Sequence, residues 1–74
     1  MKNLSKARFL KRLGKRLREL RESRSMSQET LASEAGVSIS QIGGIERGEV
    51  NPNLRTMNKL SIALKISLSE LITF

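Results

Sequence analysis

The sequence predicts an all-α fold, a compact five-helix bundle without strands. Three observations predict it. Apolar residues recur at three- and four-residue spacing in successive segments. Ser, Asn and Gly stand where helices would start and stop between those segments. The chain has 74 residues and neither Cys nor His, so tight helix packing, self-association or both must stabilise it.

The first helix is expected from Ser5 to Arg24, with Phe9, Leu10, Leu13, Leu17 and Leu20 in one apolar stripe. Lys11, Arg12, Lys15, Arg16 and Arg18 fill its other faces. Gly14 in mid-helix costs about 1 kcal/mol of propensity, so another backbone is expected to pass close by. Ser27 should cap the second helix, whose inner face is Leu31, Ala32 and Ala35 and whose stop is Gly36. Glu29 complements the dipole of its first turn. Ser38 should cap a third helix over Ile39 to Arg47, with Ile42 and Ile45 inward and Gly48 as its stop. Two short helices joined around a Gly make a helix-turn-helix by spacing alone. Gly48 to Pro52 reads as a polar loop and Asn53 as the cap of a fourth helix striped by Met57, Leu60 and Leu64, with Ala63 beside them. A short last helix runs from Ser67 to about Ile72.

Composition narrows the function. The absence of Cys and His excludes disulfides, thiolate chemistry and zinc-finger ligation. Without Trp or Tyr, and with only Phe9 and Phe74, the chain lacks the aromatic platform of single-strand binders. No Ser or Thr has a His to activate it, so no enzyme is expected and no cofactor or metal is implied. The net charge of +7 points to a polyanion. Residues 1–24 hold ten Lys and Arg against two Glu, whereas residues 25–74 hold four against five. All the net charge therefore sits in the first third. No apolar run is long enough for a membrane span and no signal peptide is visible, so a cytoplasmic location is expected.

The run Gly14-Lys15-Arg16-Leu17-Arg18-Glu19-Leu20-Arg21, then Ser27-Gln28-Glu29-Thr30-Leu31-Ala32, resembles the Cro/C1-type (XRE) helix-turn-helix family. Gly36-Val37-Ser38, Ile42-Gly43-Gly44-Ile45-Glu46-Arg47-Gly48, Asn51-Pro52 and Ser67-Leu68-Ser69-Glu70-Leu71 continue the likeness, which covers about residues 10–72. The resemblance implies a lambda-repressor-like DNA-binding domain over residues 9–74, a helix-turn-helix proper at about 27–47, and a basic extension over residues 1–8. It implies a dimeric, sequence-specific regulator of transcription on double-stranded DNA with a palindromic operator. Standalone domains of this family include phage-type repressors, restriction–modification controllers and antitoxins. The alternative class is therefore an interaction module that masks a toxin or another protein partner.

On that resemblance, Ser38, Ile39, Ser40, Gly43 and Gly44 are the expected base-facing positions of the recognition helix, taken as its outward side. Gln28 is expected to clamp a phosphate at the start of the second helix. Gln41, Arg47, Asn51, Asn53 and Arg55 are expected along the sugar–phosphate walls, Asn53 with a competing role as a cap. Arg21 and Glu46 are expected to form a buried ion pair that holds the helix-turn-helix and reads no DNA. The chain departs from the family at Ser25 and Lys65, where Gly usually supplies φ > 0. Gly43-Gly44 also removes long polar side chains, which shifts expected specificity toward DNA shape. Glu49 would stand close to phosphate.

Two features stay open in the sequence. The basic segment over residues 1–12 reads as a phosphate-contacting arm, a solvated charged face, or an amphipathic membrane-surface helix. Leu68, Leu71, Ile72 and Phe74 read as a dimer interface, or else Leu68 and Leu71 close the core while Phe74 frays.

Overall fold

A computed structural model describes residues 2–74, with side chains from residue 5 onward. Among these residues five helices follow one another: α1 (Lys2–Ser23), α2 (Gln28–Ala35), α3 (Ile39–Glu46), α4 (Leu54–Ala63) and α5 (Leu68–Leu71). No described helix is long and apolar enough to cross a membrane. Leu13, Leu17, Leu31, Ile42, Ile45, Leu60, Leu64 and Leu71 are each at most 2% exposed and draw on all five helices. Burying each such side chain contributes about 1.5–3 kcal/mol. Leu13 and Leu17 face this core, which removes the membrane-surface reading of the first helix.

The starts of α2 to α5 each follow from a capping side chain. Ser27, Ser38, Asn53 and Ser67 each accept from a backbone N–H three residues on, satisfying an otherwise unpaired donor. At Ser67 the box is complete, because Glu70 accepts from the Ser67 N–H at 2.9 Å. Those hydrogen bonds from Ser67 hold the Glu70 carboxyl below its ordinary range. The Ser67-x-x-Glu70 spacing is the sequence signature of this box.

The stops of α1 to α4 share one geometry. Ser25, Gly36, Gly48 and Lys65 have φ of 56°, 72°, 74° and 60°. In each case the next residue donates back five positions: Met26 to Arg21, Val37 to Ala32, Glu49 to Gly44 and Ile66 to Ser61, all within 2.9–3.1 Å. This closes the last carbonyls of the helix, and Met26, Val37 and Ile66 then pack on the core. At Ser25 and Lys65 the left-handed turn costs about 1 kcal/mol, since both carry a Cβ.

Three boundaries differ from the sequence reading. The first helix starts by Lys2 and runs unbroken through the expected division at residue 8. Met1 of the expected extension lies outside the described residues, as do the side chains of residues 2–4. The third helix stops at Glu46, with Arg47 as its cap, and the fifth is confined to Leu68–Leu71.

Two corrections concern surfaces. Leu71 was expected at a dimer interface but is 1% exposed and belongs to the core, because α5 is too short to turn it elsewhere. Phe74 was expected either in an interface or frayed; its ring lies 5.5 Å from that of Phe9, which ties the C-terminal end to α1 and corrects the frayed reading alone.

Arginines of α1 also close the far side of the bundle. Arg24 Nε, just past that helix, donates to the Leu64 carbonyl at 2.7 Å, and Arg16 Nη2 donates to the Glu70 carbonyl at 2.7 Å. Each sets a cation at a helix C-terminus, where carbonyls lack partners.

Gly14 marks where α1 crosses α3. A Cβ there would lie 2.6 Å from the Glu46 carbonyl oxygen and closer still to that of Ile45. Neither oxygen can retreat, because both belong to helical backbone. Gly14→Ala, which helix propensity alone would favour by about 1 kcal/mol, is expected instead to destabilise by about 1–3 kcal/mol through overpacking. Urea unfolding followed by circular dichroism measures the sign, and a more stable variant would contradict the crossing.

Candidate nucleic-acid interface

The third helix is held from behind. Arg21 donates from Nε to Glu46 Oε2 at 2.6 Å and from Nη2 to Glu46 Oε1 at 3.0 Å, a two-point ion pair. Its Nη1 donates to the Met26 carbonyl at 2.8 Å, so one guanidinium joins α1, the turn before α2 and the end of α3. The side chains of Arg21 and Glu46 are 10% and 5% exposed. The hydrogen-bonded Glu46 carboxylate raises the Arg21 pKa above its ordinary value, outweighing the opposing effect of burial. The Arg21 guanidinium therefore stays charged wherever the domain is folded at accessible pH.

Gln28 completes this group. Its Nε2 donates to Glu46 Oε1 at 3.0 Å, which fixes the first residue of α2 relative to α3. The Gln28 side chain is half-buried, and the same contact sets where its amide can meet an anion at the α2 N-terminus.

The amino end of α3 is open. Ser38, Ile39 and Ser40 are all exposed, Ile39 by 45%. The Ser38 hydroxyl oxygen accepts from Gln41 N–H at 3.1 Å, which leaves its own hydrogen to donate elsewhere. Gln41 is half-buried one turn behind.

Gly43 and Gly44 depart from the sequence reading. Both were expected on the outward side and both are buried. A Cβ on Gly43 would lie 2.9 Å from the Arg47 guanidinium, which reaches back across the helix, and 3.8 Å from Gln28 Oε1. A Cβ on Gly44 would collide with Val50, which folds over that face from the following loop. Taking only Ile42 and Ile45 as inward overlooked these two covers, neither of which is a helix.

Around the open end lie the other expected positions. Arg47 is exposed and pairs with Glu49 at 3.0 Å, both side chains more than 60% exposed. Such a pair contributes about 0–1 kcal/mol and yields readily to a competing anion. Asn51, Asn53 and Arg55 are exposed along the loop and the first turn of α4. Asn53 Oδ1 accepts from Thr56 N–H at 2.8 Å, so its capping role is present. Pro52 between them is buried and anchors the loop. One neighbour escaped the sequence reading: a Cβ at Gly48 would lie 3.3 Å from Lys11 Cα, so α1 passes directly behind this loop.

A family model described as helix-turn-helix matches residues 17–71. The chain is 48% identical to the restriction-modification controller protein C.AhdI from Aeromonas hydrophila, whose crystal structure superposes with a TM-score of 0.82 over 84% of this chain and 94% of that one. The control protein C.BamHI of Bacillus amyloliquefaciens is 40% identical over 62 residues, 82% of this chain and 76% of its own length. The transcriptional regulator DdrOP3 of Deinococcus deserti is 34% identical over 61 residues, 82% of this chain. The chain spans under half the length of this and several other curated relatives.

The Arg21–Glu46 geometry carries a stability prediction. Arg21→Ala strands a buried carboxylate and is expected to cost about 3–5 kcal/mol. Arg18→Ala removes an exposed partner of Glu22 (64% and 58% exposed) and is expected to cost at most about 1 kcal/mol. Parallel denaturant titrations of both variants measure the gap, and equal losses would refute it.

Proposed function

The chain belongs to the Cro/C1-type (XRE) helix-turn-helix family, and from that premise we propose that it binds a specific duplex DNA sequence and regulates transcription there. The carrying observation is the exposed Ser38-Ile39-Ser40 end of α3, fixed to α1 and α2 by Arg21, Glu46 and Gln28. A helix so braced enters a major groove amino end first. Ser40 offers a hydroxyl to a base edge, and Ile39 offers a methyl surface to thymine.

Gln28, with the α2 N-terminus, and Gln41, Arg47, Asn51, Asn53 and Arg55 take the phosphates on either side. Gly43 and Gly44 contribute by absence. Gly43 leaves room for Arg47 to lie back, and Gly44 admits Val50, so the groove-facing surface is shallow and sparing in side chains. Sequence preference then leans on groove shape as well as on direct contacts.

The protein acts as a homodimer on a palindromic site, with recognition helices about 34–36 Å apart. Leu68, Ile72 and Phe74 supply its apolar surface; Ile72 and Phe74 are 41% and 44% exposed. A restriction–modification controller is the kind of regulator this reading favours, since the likeness spans 94% and 76% of two such proteins. It works in the cytoplasm, where its DNA is.

Selection of bound duplexes from a random pool is expected to recover one palindromic motif. Ile39→Ala or Ser40→Ala is expected to flatten preference at one base position by about 1–3 kcal/mol while sparing non-specific binding. An unstructured pool would sink this reading and favour a protein partner, such as a toxin.

For the dimer, sedimentation at tens of micromolar compares the parent with the full-length double variant I72D/F74D. The parent is expected to run as a dimer and the variant as a folded monomer. Equal masses would remove the C-terminal surface from the interface.

A further inference from the structure

We infer that α1 carries a second DNA-contacting element, a stripe of Arg8, Lys11, Lys15 and Arg18 that grips phosphates beyond the half-site read by α3. This rests on the duplex-binding reading above and adds a surface to it.

Spacing comes first. These four residues recur at intervals of three, four and three, so they share one face of α1, and all four are exposed. Ten helical rises from Arg8 to Arg18 make the stripe about 15 Å long. A duplex presents one phosphate per strand about every 3.4 Å along its axis, so a stripe of that length can follow several.

Placement comes second. Lys11 backs directly onto Gly48, the turn that leads from α3 into the loop bearing Asn51 and Asn53. The stripe therefore adjoins the surface proposed to hold the DNA backbone. The opposite flank of α1 is already occupied: Phe9 packs on Phe74 and Arg16 donates to the Glu70 carbonyl. Two flanks of one basic helix thus have different neighbours.

Charge comes third. Glu19 is the first acidic residue in the chain, and α1 has none in its first turn. Cations crowd the end of the helix whose dipole is already positive. Only Arg18 within the stripe has an ion-pair partner, Glu22, and that pair is exposed. A polyanion laid along the face relieves this repulsion.

The test is the salt dependence of duplex binding by the full chain and three variants, R8Q/K11Q/K15Q, K11Q and R12Q, each first checked for parental helicity. The probes are a random-sequence duplex and whatever motif selection recovers, both long enough to extend past the site. The slope of log K against log salt should shrink by about 2–3 in the triple variant and by about 1 in K11Q. R12Q, on the α5 flank, should change it far less, and base preference should stay parental in all three.

Parental slopes in the triple variant would overturn the stripe, as would equal effects of K11Q and R12Q, which would reduce it to bulk charge. A parent that binds random duplex with these slopes but prefers no sequence would sustain the stripe and refute the regulator reading. A parent that binds no duplex at low salt would refute both.

Discussion

The placement of α3 depends on one buried interaction, the two-point ion pair between Arg21 and Glu46. A charge taken out of water is unfavourable unless its partner and its remaining hydrogen bonds are supplied. Here the Met26 carbonyl and the Gln28 amide supply them. That requirement fixes geometry: α1, the turn before α2, the first residue of α2 and the last of α3 must meet at one point. Gly14 tightens the same junction, because α1 can approach the Ile45 and Glu46 carbonyls only where no Cβ intervenes. The open end of α3 is thereby aimed by groups that lie behind it and need not touch a ligand.

Much of this was legible in the sequence, for reasons that differ by element. The caps at Ser27, Ser38 and Asn53 are local, and their residue types declare them. The left-handed turns at Ser25 and Lys65 run against residue type. Only likeness to a family with glycine there made them visible. The closeness at Gly14 could be inferred from a propensity penalty that nothing local offsets. Gly43 and Gly44 were misread because helical periodicity places a residue relative to its own axis, not relative to a loop folding over it. Val50 and the returning Arg47 side chain belong to that class of contact. For Leu71 the alternative reading holds: it closes the core, and Ile72 and Phe74 after it stay exposed, because a four-residue helix can turn only some of its apolar neighbours inward.

The arginines illustrate a further limit. In sequence, Arg16 belongs to the basic faces of the first helix, Arg24 carries no assignment, and Arg21 is set apart only by the family likeness. In the fold, Arg21 is buried in an ion pair, while Arg16 and Arg24 close the carbonyl ends of α5 and α4. Their partners lie far along the chain, where no spacing rule reaches. Net charge therefore overstates how many cations α1 holds ready for a polyanion. Once these are set aside, the exposed remainder is concentrated on the flank that Lys11 shares with Gly48.

That remainder is a local conflict within an otherwise consistent design. Cations in the first turns of a helix oppose its dipole by about 0.3–1 kcal/mol each at low salt, and α1 accumulates several before its first carboxylate at Glu19. The same helix contributes Leu13 and Leu17 to the core, so its carboxyl half is secured regardless. In its amino half Phe9 packs on Phe74 and Lys11 backs onto Gly48, and this half bears most of the repulsion. In proteins whose other levels agree, such conflicts tend to sit where function requires them. A negatively charged partner turns this repulsion into attraction, whereas the shallow, charge-poor face of α3 gains little from electrostatics. On the function and the α1 stripe proposed above, the two surfaces divide the work: α3 carries discrimination between sequences, and the amino half of α1 carries affinity that any duplex can satisfy.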